Sequence, residues 1–354
     1  MKVLLIYAGY PRLSQTYQLD EAQCMVNTGH EVLIFSYNWP VYCPSTCALP
    51  YRSGDPSTPA NLEIIKAFAP QVIHSHYADT LSLVHRLSDI LKIPFTVRTH
   101  SYDIMLATPK DLTGYANHIN APNCLGVITF PSWSSYLTRH GARADKVMEF
   151  YPSINIQRYL SPIGPRGPHI MSGGAFLPKK DIPGFIDMAY ELKRRFPDKI
   201  ITYYAMPEQP SYYRRTLDYN ISRGSPVTFK TIQTADMPAE YLKHSWLIYG
   251  ACKRLRSVGF PLMVAEAQAA GVMVIMTKLR PDAELYLART GHFYETIEDI
   301  INIVNTGSPE SVHRELLVEA QALCSRYDIT NSVSALATRW TGRGLAAPTG
   351  DREI

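Results

Sequence analysis

The sequence contains 354 residues, which is enough for two globular domains that each bury a core. Hydrophobic residues make up 46% and charged residues 19%, as is ordinary for a soluble globular protein. The net charge of +4 is too small to indicate nucleic acid as a partner, although it permits an anionic substrate or a weak attraction to a membrane surface.

Targeting and metal-binding patterns are weak. The apolar stretch at residues 3–8 is too short for a signal peptide, and no segment approaches the ~20 apolar residues of a membrane span. The six cysteines contain one close pair, Cys43 and Cys47, without the second pair that a zinc site requires. We therefore expect a cytoplasmic protein with free thiols.

The chain opens with a strand, a turn, a helix and a second strand. Apolar residues predict strands over 2–7 and 31–35, separated by a turn and by a helix over 15–28. This order is typical of a doubly wound parallel sheet. The glycine fingerprint of dinucleotide-binding proteins is absent from the turn.

Residues 37–60 contain five prolines, which predict a long surface loop rather than a helix of the core. A loop of this length in a compact domain is often functional. The sequence leaves two interpretations open, namely a loop that shapes a binding site and a disordered insertion.

Polar residues follow the next two predicted strands. His74 and His76 lie at the end of a strand that begins at Val72, and His100 and Asp103 follow a strand over 93–98. Ligands bind at the carboxyl ends of strands in open α/β sheets. Two histidines at this spacing could bind a metal, but little supports them nearby, so we expect no metal ion.

A second domain is predicted after residues 161–168, where three prolines and two glycines indicate a linker. Strands are then predicted over 169–172, 199–205, 227–232 and 246–249, with a helix over 182–196. Helical periodicity returns over 298–305, 309–326 and 330–340, and residues 343–354 have the composition of a flexible tail.

The most informative stretch runs from 257 to 277. Gly259 permits a tight turn, a helix rich in alanine is predicted over 262–270, and a buried strand follows over 272–276. Free N–H groups at the helix start would favour an anion, and Glu266 one turn inside could accept from ribose hydroxyls. The alternative is a surface glutamate on a packed helix.

The order G-F-P-L-x-V-x-E-A-x-A-A-G-V-x-V-I resembles the donor-site motif of retaining glycosyltransferases of the GT-B fold, family four. The matching residues are Gly259, Phe260, Leu262, Glu266, Ala267, Ala269, Gly271, Val274 and Ile275. One departure is that Val258 stands where the family has its first glutamate. The resemblance extends over about residues 1–340.

The resemblance implies two Rossmann-like domains that face a central cleft. Residues 1–163 form the acceptor-side domain, to which a crossover helix at 328–342 returns, and residues 164–327 bind the nucleotide sugar. The reaction implied is the transfer of a sugar, with retention, from a nucleoside-diphosphate sugar to a hydroxyl acceptor. Neither a cofactor nor a metal ion is required.

On the donor side, the resemblance implies that Lys180 grips the diphosphate and that Gly174 lies in the same loop. Ala175 replaces the family's arginine, and the basic residues 253, 254 and 256 either supply the missing charge or form a solvated surface. We expect Glu266 to contact the ribose. The remaining donor-binding candidates are Thr231, Ile232, Gly259, Phe260, Pro261 and Leu262.

On the acceptor side, the resemblance implies that His100 hydrogen-bonds the sugar near its anomeric carbon and that Asp103 faces the acceptor. His76 either contacts the acceptor or has a structural role. The resemblance also implies that Gly9, Ser14 and Thr16 lie in a loop over the cleft, although Ser14 could instead cap the helix.

Two further classes of function remain open. Since Val258 and Ala175 remove two donor-site residues, the chain could be a non-catalytic subunit that binds a sugar nucleotide or a partner transferase. A third hypothesis is an epimerase or a phosphorylase-like enzyme with the same fold. The sugar, the base, the acceptor and the oligomeric state are not specified by the sequence.

Overall fold

The computed structural model describes residues 1–38, 44–46, 48–151, 153–160, 166–251, 260–279, 281–287, 289, 291–307 and 310–342. These residues form two parallel β-sheets, one after the other along the chain. Each sheet has an apolar core on both of its faces, because helices cover both faces. Among the described residues no helix is both long and apolar enough to cross a lipid bilayer.

The first sheet has seven strands in the order β3-β2-β1-β4-β5-β6-β7. Its strands are β1 Lys2–Tyr7, β2 Glu31–Ser36, β3 Arg52–Ser53, β4 Val72–His76, β5 Phe95–Arg98, β6 Cys124–Thr129 and β7 Val147–Glu149. The helices between them are α1 Thr16–Asn27, α2 Pro59–Phe68, α3 Leu81–Leu91, α4 Tyr102–Met105, α5 Pro109–Ile119 and α6 Pro131–Arg139.

The second sheet has six strands in the order β10-β9-β8-β11-β12-β13. Its strands are β8 His169–Ala175, β9 Ile201–Met206, β10 Thr228–Lys230, β11 His244–Tyr249, β12 Met273–Met276 and β13 Gly291–Phe293. The helices are α7 Ile182–Arg195, α8 Pro210–Ser222, α9 Met237–Tyr241, α10 Leu262–Ala269, α11 Ile297–Thr306, α12 Glu310–Cys324 and α13 Ile329–Thr341.

The proline-rich region differs from its prediction in two of its described parts. The prediction placed residues 37–60 in a loop, but β3 forms there at the edge of the first sheet. Helix α2 begins at Pro59, inside the predicted loop, with the side chain of Thr58 accepting from the amide of Asn61. Proline is tolerated in a first helical turn because that N–H would have no intrahelical partner.

Helix α13 follows the second sheet in sequence but packs against the first. Val333, Leu336 and Trp340 share one apolar core with β1 and α1. Trp340 Nε1 also donates to Thr96 Oγ1 over 3.1 Å, and Ser332 Oγ accepts from Arg98. The crossover helix therefore contributes both apolar and polar contacts to the interior of the first domain.

Both sheets reverse their strand order at one internal position. In the first sheet this position lies between β1 and β4, and in the second it lies between β8 and β11. The loops after such strands diverge to opposite faces of the sheet and leave a crevice at the carboxyl ends. Residues from these loops in both sheets line one shared cavity.

Candidate functional site

A cavity of about 330 Å³ lies between the two sheets. We call its lining from residues 12–159 the first wall and its lining from residues 173–266 the second wall. The first wall comes from α1 and from the loops after β1, β4, β5, β6 and β7. The second wall comes from the loops after β8, β9, β10 and β11 and from α9 and α10, and Ile329 at the start of α13 completes the lining. The cavity thus occupies the crevice of both domains at once.

The structure brings most of the predicted site residues together. The cavity lining includes Ser14, Thr16, His100, Gly174, Lys180, Ile232, Phe260, Pro261, Leu262 and Glu266. Four others lie outside the lining, namely Gly9, His76, Asp103 and Thr231. Gly259 lies outside the described residues, as do Val258 and the basic residues 253, 254 and 256.

Lys180 enters the second wall from a short turn after β8. Its ammonium group donates to the phenol oxygen of Tyr249 and stands 4.7 Å from the centre of that ring. Burial lowers the pKa of Lys180 to about 8. Gly174 has φ +132°, and a Cβ at this position would lie 3.4 Å from Lys180 Cε. The positive φ near the end of β8 therefore favours glycine at this position.

Glu266 lies in α10 and is 8% exposed. Its Oε2 accepts a hydrogen bond of 2.8 Å from the phenol of Tyr241. Burial raises the pKa of Glu266 to about 7, and the hydrogen bond from Tyr241 opposes that rise. This carboxylate has a neutral phenol partner and faces the cavity, so it can accept hydrogen bonds from a ligand.

A third group of charges crosses the cleft. Glu208 follows β9 in the second wall, and its carboxylate accepts from Ser14 and lies 3.8 Å from the guanidinium of Arg12. Burial raises the pKa of Glu208, and Arg12 opposes the rise. A Cβ on Gly9 would lie 2.4 Å from Arg12 Nε, so the missing side chain leaves room for the guanidinium.

Lys179 adds a second ammonium group beside Lys180. Burial and the neighbouring Lys180 lower the pKa of Lys179 to about 8. Arg12, Lys179 and Lys180 all line the cavity, whereas Ala175 contributes no charge to it. Arg98 also lines the cavity, as do the carboxylates of Glu21, Glu208 and Glu266. Within this lining, the adjacent ammonium groups of Lys179 and Lys180, with Arg12 on the first wall, form a positive region that suits an anionic group.

The first wall contains a buried polar cluster of Glu21, His74, His76 and Arg98, of which Glu21 and Arg98 line the cavity. Glu21 Oε1 lies 2.8 Å from the Nε2 atoms of His74 and of His76, and Oε2 lies 2.6 Å from Arg98. Burial alone would raise the pKa of Glu21, but Arg98 and the two histidines hold it well below its ordinary value. The cluster is a compact ion pair surrounded by hydrogen-bonding groups.

His100 lines the cavity and contacts this cluster. Its Nε2 lies 3.0 Å from His76 Nδ1, and its ring stacks on Tyr17 with 4.3 Å between centroids. Tyr77 lies against the same ring at 4.5 Å. Burial lowers the pKa of His100 well below its ordinary value, so the imidazole is neutral at pH 7.

Asp103 is 3% exposed and holds the backbone of the loop that carries His100. Its carboxylate accepts from the amides of Ala78 (2.9 Å), His100 (3.1 Å) and Ser101 (2.7 Å). Burial raises the pKa of Asp103 to about 6, although these amides oppose the rise. Its contacts therefore serve to position His100.

Several residues of the site escaped the sequence analysis. Glu21 lies in the middle of a helix and Arg98 ends a strand, and both are charged residues at positions that the surrounding pattern would bury. A charge at a buried position signals a partner, but the sequence does not say which. Glu208, Tyr241 and Tyr249 gave no signal of this kind.

No protein-family model and no curated protein matches the sequence. Solved structures, however, share its fold. HepE from Anabaena in complex with UDP and glucose matches with a TM-score of 0.75 at 17% identity, over 98% of this chain and 100% of that one. Sucrose-phosphate synthase from Thermosynechococcus elongatus matches with a TM-score of 0.70 at 15% identity, over 97% and 100% of the two chains.

A glycosyltransferase from Rickettsia africae matches with a TM-score of 0.72 at 12% identity, over 96% of this chain and 98% of that one. The likeness covers both sheets and the cleft between them. It confirms the predicted fold, which is GT-B with two Rossmann-like domains.

Proposed function

We propose that this chain is a retaining glycosyltransferase that moves a sugar from a nucleoside-diphosphate sugar to a hydroxyl group of an acceptor. The observation that carries the proposal is the placement of Lys180 and Glu266 on one wall of a cavity and of His100 on the opposite wall. A cation, an acceptor for ribose hydroxyls and a neutral imidazole are the groups that such a donor requires around it.

The diphosphate would lie against Lys180 and the amino end of α10, where the helix offers free N–H groups and a favourable dipole. Arg12 and Lys179 line the same cavity and add the charge that Ala175 lacks. These cations would balance the charge that grows on the leaving phosphate oxygen, so we propose a metal-independent reaction.

The nucleoside would extend along the second wall. Glu266 would accept from the ribose hydroxyls, and the base would lie near Ile232, with the backbone of Thr231 beside it. The sugar would then point at the first wall, towards His100. HepE binds UDP and glucose in its own structure, which makes UDP-glucose the first donor to examine here.

We propose a front-face reaction. The bond between the anomeric carbon and the phosphate oxygen breaks, and its electron pair leaves with the diphosphate. The acceptor oxygen bonds to the same face of that carbon, and its proton passes to the departing phosphate oxygen. The configuration is thereby retained. We assign Asp103 to positioning His100, since three backbone amides already occupy its carboxylate.

Thermal unfolding with UDP, GDP, dTDP, ADP and CDP tests donor binding. A ligand that binds only the folded state adds roughly 2.7 kcal/mol of stability at a hundred times its Kd. We expect one nucleotide to raise the melting temperature, and the rise to disappear in Glu266→Ala. Glu191→Gln, which removes a carboxylate that is paired with Arg194 on the outside of α7, is the matched control.

Turnover of UDP-glucose distinguishes the transferase from a second candidate, a non-catalytic subunit that binds a sugar nucleotide. Ala175 favours that candidate, because it supplies no charge to the cavity lining at the position where the family has arginine. Release of UDP together with a product of retained anomeric configuration by NMR supports the transferase. Nucleotide binding without any turnover, across a panel of donors and acceptors, supports the non-catalytic subunit.

A further inference from the structure

A row of contacts joins the charge of Arg98 to the ring of His100. Arg98 Nη2 lies 2.6 Å from Glu21 Oε2, and the other carboxylate oxygen lies 2.8 Å from His76 Nε2. His76 Nδ1 lies 3.0 Å from His100 Nε2. Arg98 is 4% exposed, Glu21 1% and His76 0%, so water competes little for these contacts.

One arrangement of protons satisfies this row while both rings are neutral. An ionised Glu21 can only accept, so His76 Nε2 must carry the proton and donate to it. His76 Nδ1 then has no proton and must accept from His100 Nε2. His100 Nδ1 is consequently the ring nitrogen without a proton. Burial lowers the pKa of His76 to about 4, which keeps its ring neutral at pH 7.

A metal ion suits the same side chains poorly. Glu21, His74 and His76 do bring three ligand atoms within 4.8 Å of one another. The guanidinium of Arg98, however, already contacts the only carboxylate of the group. A divalent ion would place three positive charges against one negative charge in a buried site, which is strongly unfavourable.

The geometry thus points to a function for the row. We propose that Arg98, Glu21 and His76 are positioning residues that hold His100 in the tautomer protonated on Nε2, with Nδ1 as a hydrogen-bond acceptor. Ser332 and Asp103 support the two ends, since Ser332 accepts from Arg98 and Asp103 accepts from the backbone of His100.

The chemical consequence rests on the proposed function. His100 Nδ1 would accept a hydrogen bond from a hydroxyl group of the donor sugar and could not donate to a ring oxygen or to phosphate. The site would therefore require a free hydroxyl on the sugar at the position facing His100. A donor that lacks this hydroxyl would leave the nitrogen unpaired.

Nitrogen-15 NMR of the full chain, labelled on histidine, reads the tautomer without any substrate. The signals of His100 are identified by their loss in His100→Gln. At pH 7 we expect a protonated Nε2 and an unprotonated Nδ1. A proton on Nδ1, protons on both nitrogens, or exchange between the two tautomers overturns the proposal.

His76→Phe and His74→Phe form a matched pair of variants. Both histidines are fully buried and both contact the same oxygen of Glu21, but only His76 contacts His100. We expect the fixed tautomer of His100 to be lost in His76→Phe and kept in His74→Phe. Equal changes in both variants overturn the role of His76. The wild-type spectrum still decides the tautomer of His100 where His76→Phe or His74→Phe does not fold.

Kinetics with UDP-glucose supply the functional readout. We expect kcat to fall about a hundredfold further in His76→Phe than in His74→Phe, because misplacing a reacting group by about 1 Å can slow a reaction by this factor. We expect KM to change little in either variant. An inactive wild-type protein would contradict the proposed function and leave the NMR result standing. An active wild-type protein with equal kcat in both variants would overturn the positioning role alone.

Discussion

Glu21 and Glu266 are two buried carboxylates at the same cavity, and their surroundings are opposite. Glu21 contacts a guanidinium and two imidazoles, and its pKa lies well below the ordinary value. Glu266 accepts from the phenol of Tyr241, and burial raises its pKa to about 7. The first wall thus supplies its own counter-charge, whereas the second wall holds a carboxylate and a lysine whose described partners are neutral phenols.

This contrast separates two uses of buried charge. A carboxylate with a charged partner is already satisfied and serves to fix geometry, as Glu21 does beneath His100. A charge with a neutral partner remains costly until a ligand arrives, so part of the ligand's binding energy comes from relieving that cost. Lys180 and Glu266 are buried charges of this second kind, each with a neutral phenol as its hydrogen-bond partner.

The largest expected difference between the two walls is in the free energy of unfolding of two variants, Glu21→Gln and Glu266→Gln. Glu21→Gln leaves Arg98 buried without its counter-charge, so we expect the free energy of unfolding to fall by about 3 kcal/mol. Glu266→Gln removes a carboxylate that is unfavourable when ionised. Because its pKa is raised in the folded state, its contribution to stability is lost as the pH rises through 7.

Chemical denaturation at pH 8 is the measurement for this pair. Glu266→Gln should leave the unfolding free energy unchanged or raise it. An equal loss of stability in both variants would remove the distinction between the two walls.

Lys180→Met is expected to affect binding rather than folding. A hydrogen bond to a charged group contributes about 1.5–3 kcal/mol, so the affinity for UDP-glucose should fall about 10- to 100-fold. Stability should be retained, because the variant removes a desolvated cation. Calorimetric titration measures the affinity, and Lys278→Met, which removes an exposed lysine paired with Glu284, is the control. Unchanged affinity would exclude Lys180 from the donor site.

The affinity for UDP-glucose should depend on pH, with a maximum between the pKa of Glu266, about 7, and the pKa of Lys180, about 8. Below pH 7, Glu266 gains a proton and accepts less well, and above pH 8, Lys180 loses its charge. We expect affinity at pH 6 to be about tenfold lower than at the maximum. Glu266→Gln should flatten the acid side in calorimetric titrations, and a flank that persists in this variant would assign it to another group.

Glu208→Gln should have the smallest effect of these variants on stability and on nucleotide affinity. Glu208 lies 3.8 Å from Arg12 across the cleft, and both side chains are partly exposed. Such pairs contribute about 0–1 kcal/mol, so unfolding should shift by no more than this amount. Arg12 would be freed for a diphosphate, and we expect a rise in UDP affinity of about twofold by calorimetry. A fall in affinity would mean that Glu208 itself supports the ligand.

The fold was largely predictable because its signals are local. Apolar runs such as 2–7 and 272–276 predicted buried parallel strands, and the structure contains β1 and β12 there. The region around Pro59 was misjudged, since proline was taken to exclude helix although it begins α2. A first helical turn tolerates proline, so only position within the helix distinguishes the two cases.

The sequence predicted the residues of the second wall around Glu266 more readily than the contacts within the first wall. Glu266 and its neighbours lie in one contiguous motif, so their order in the sequence carried the information. The contacts of Glu21 with His76 and Arg98 join α1 to the ends of two strands, and no local pattern encodes such pairs. The sequence also could not show that Arg12 supplies charge near Ala175, because the two residues reach the cavity from different domains.

The return of α13 to the first domain has a consequence for synthesis on the ribosome. Trp340 and Thr96 are hydrogen-bonded although 244 residues separate them, and Ser332 reaches Arg98 across 234. Domains generally fold in order as they emerge during translation. Here the domain that is translated first must wait for the helix that is translated after the whole second sheet, whereas that sheet is assembled from one uninterrupted segment. The half of the protein that carries His100 therefore begins folding first and is completed last.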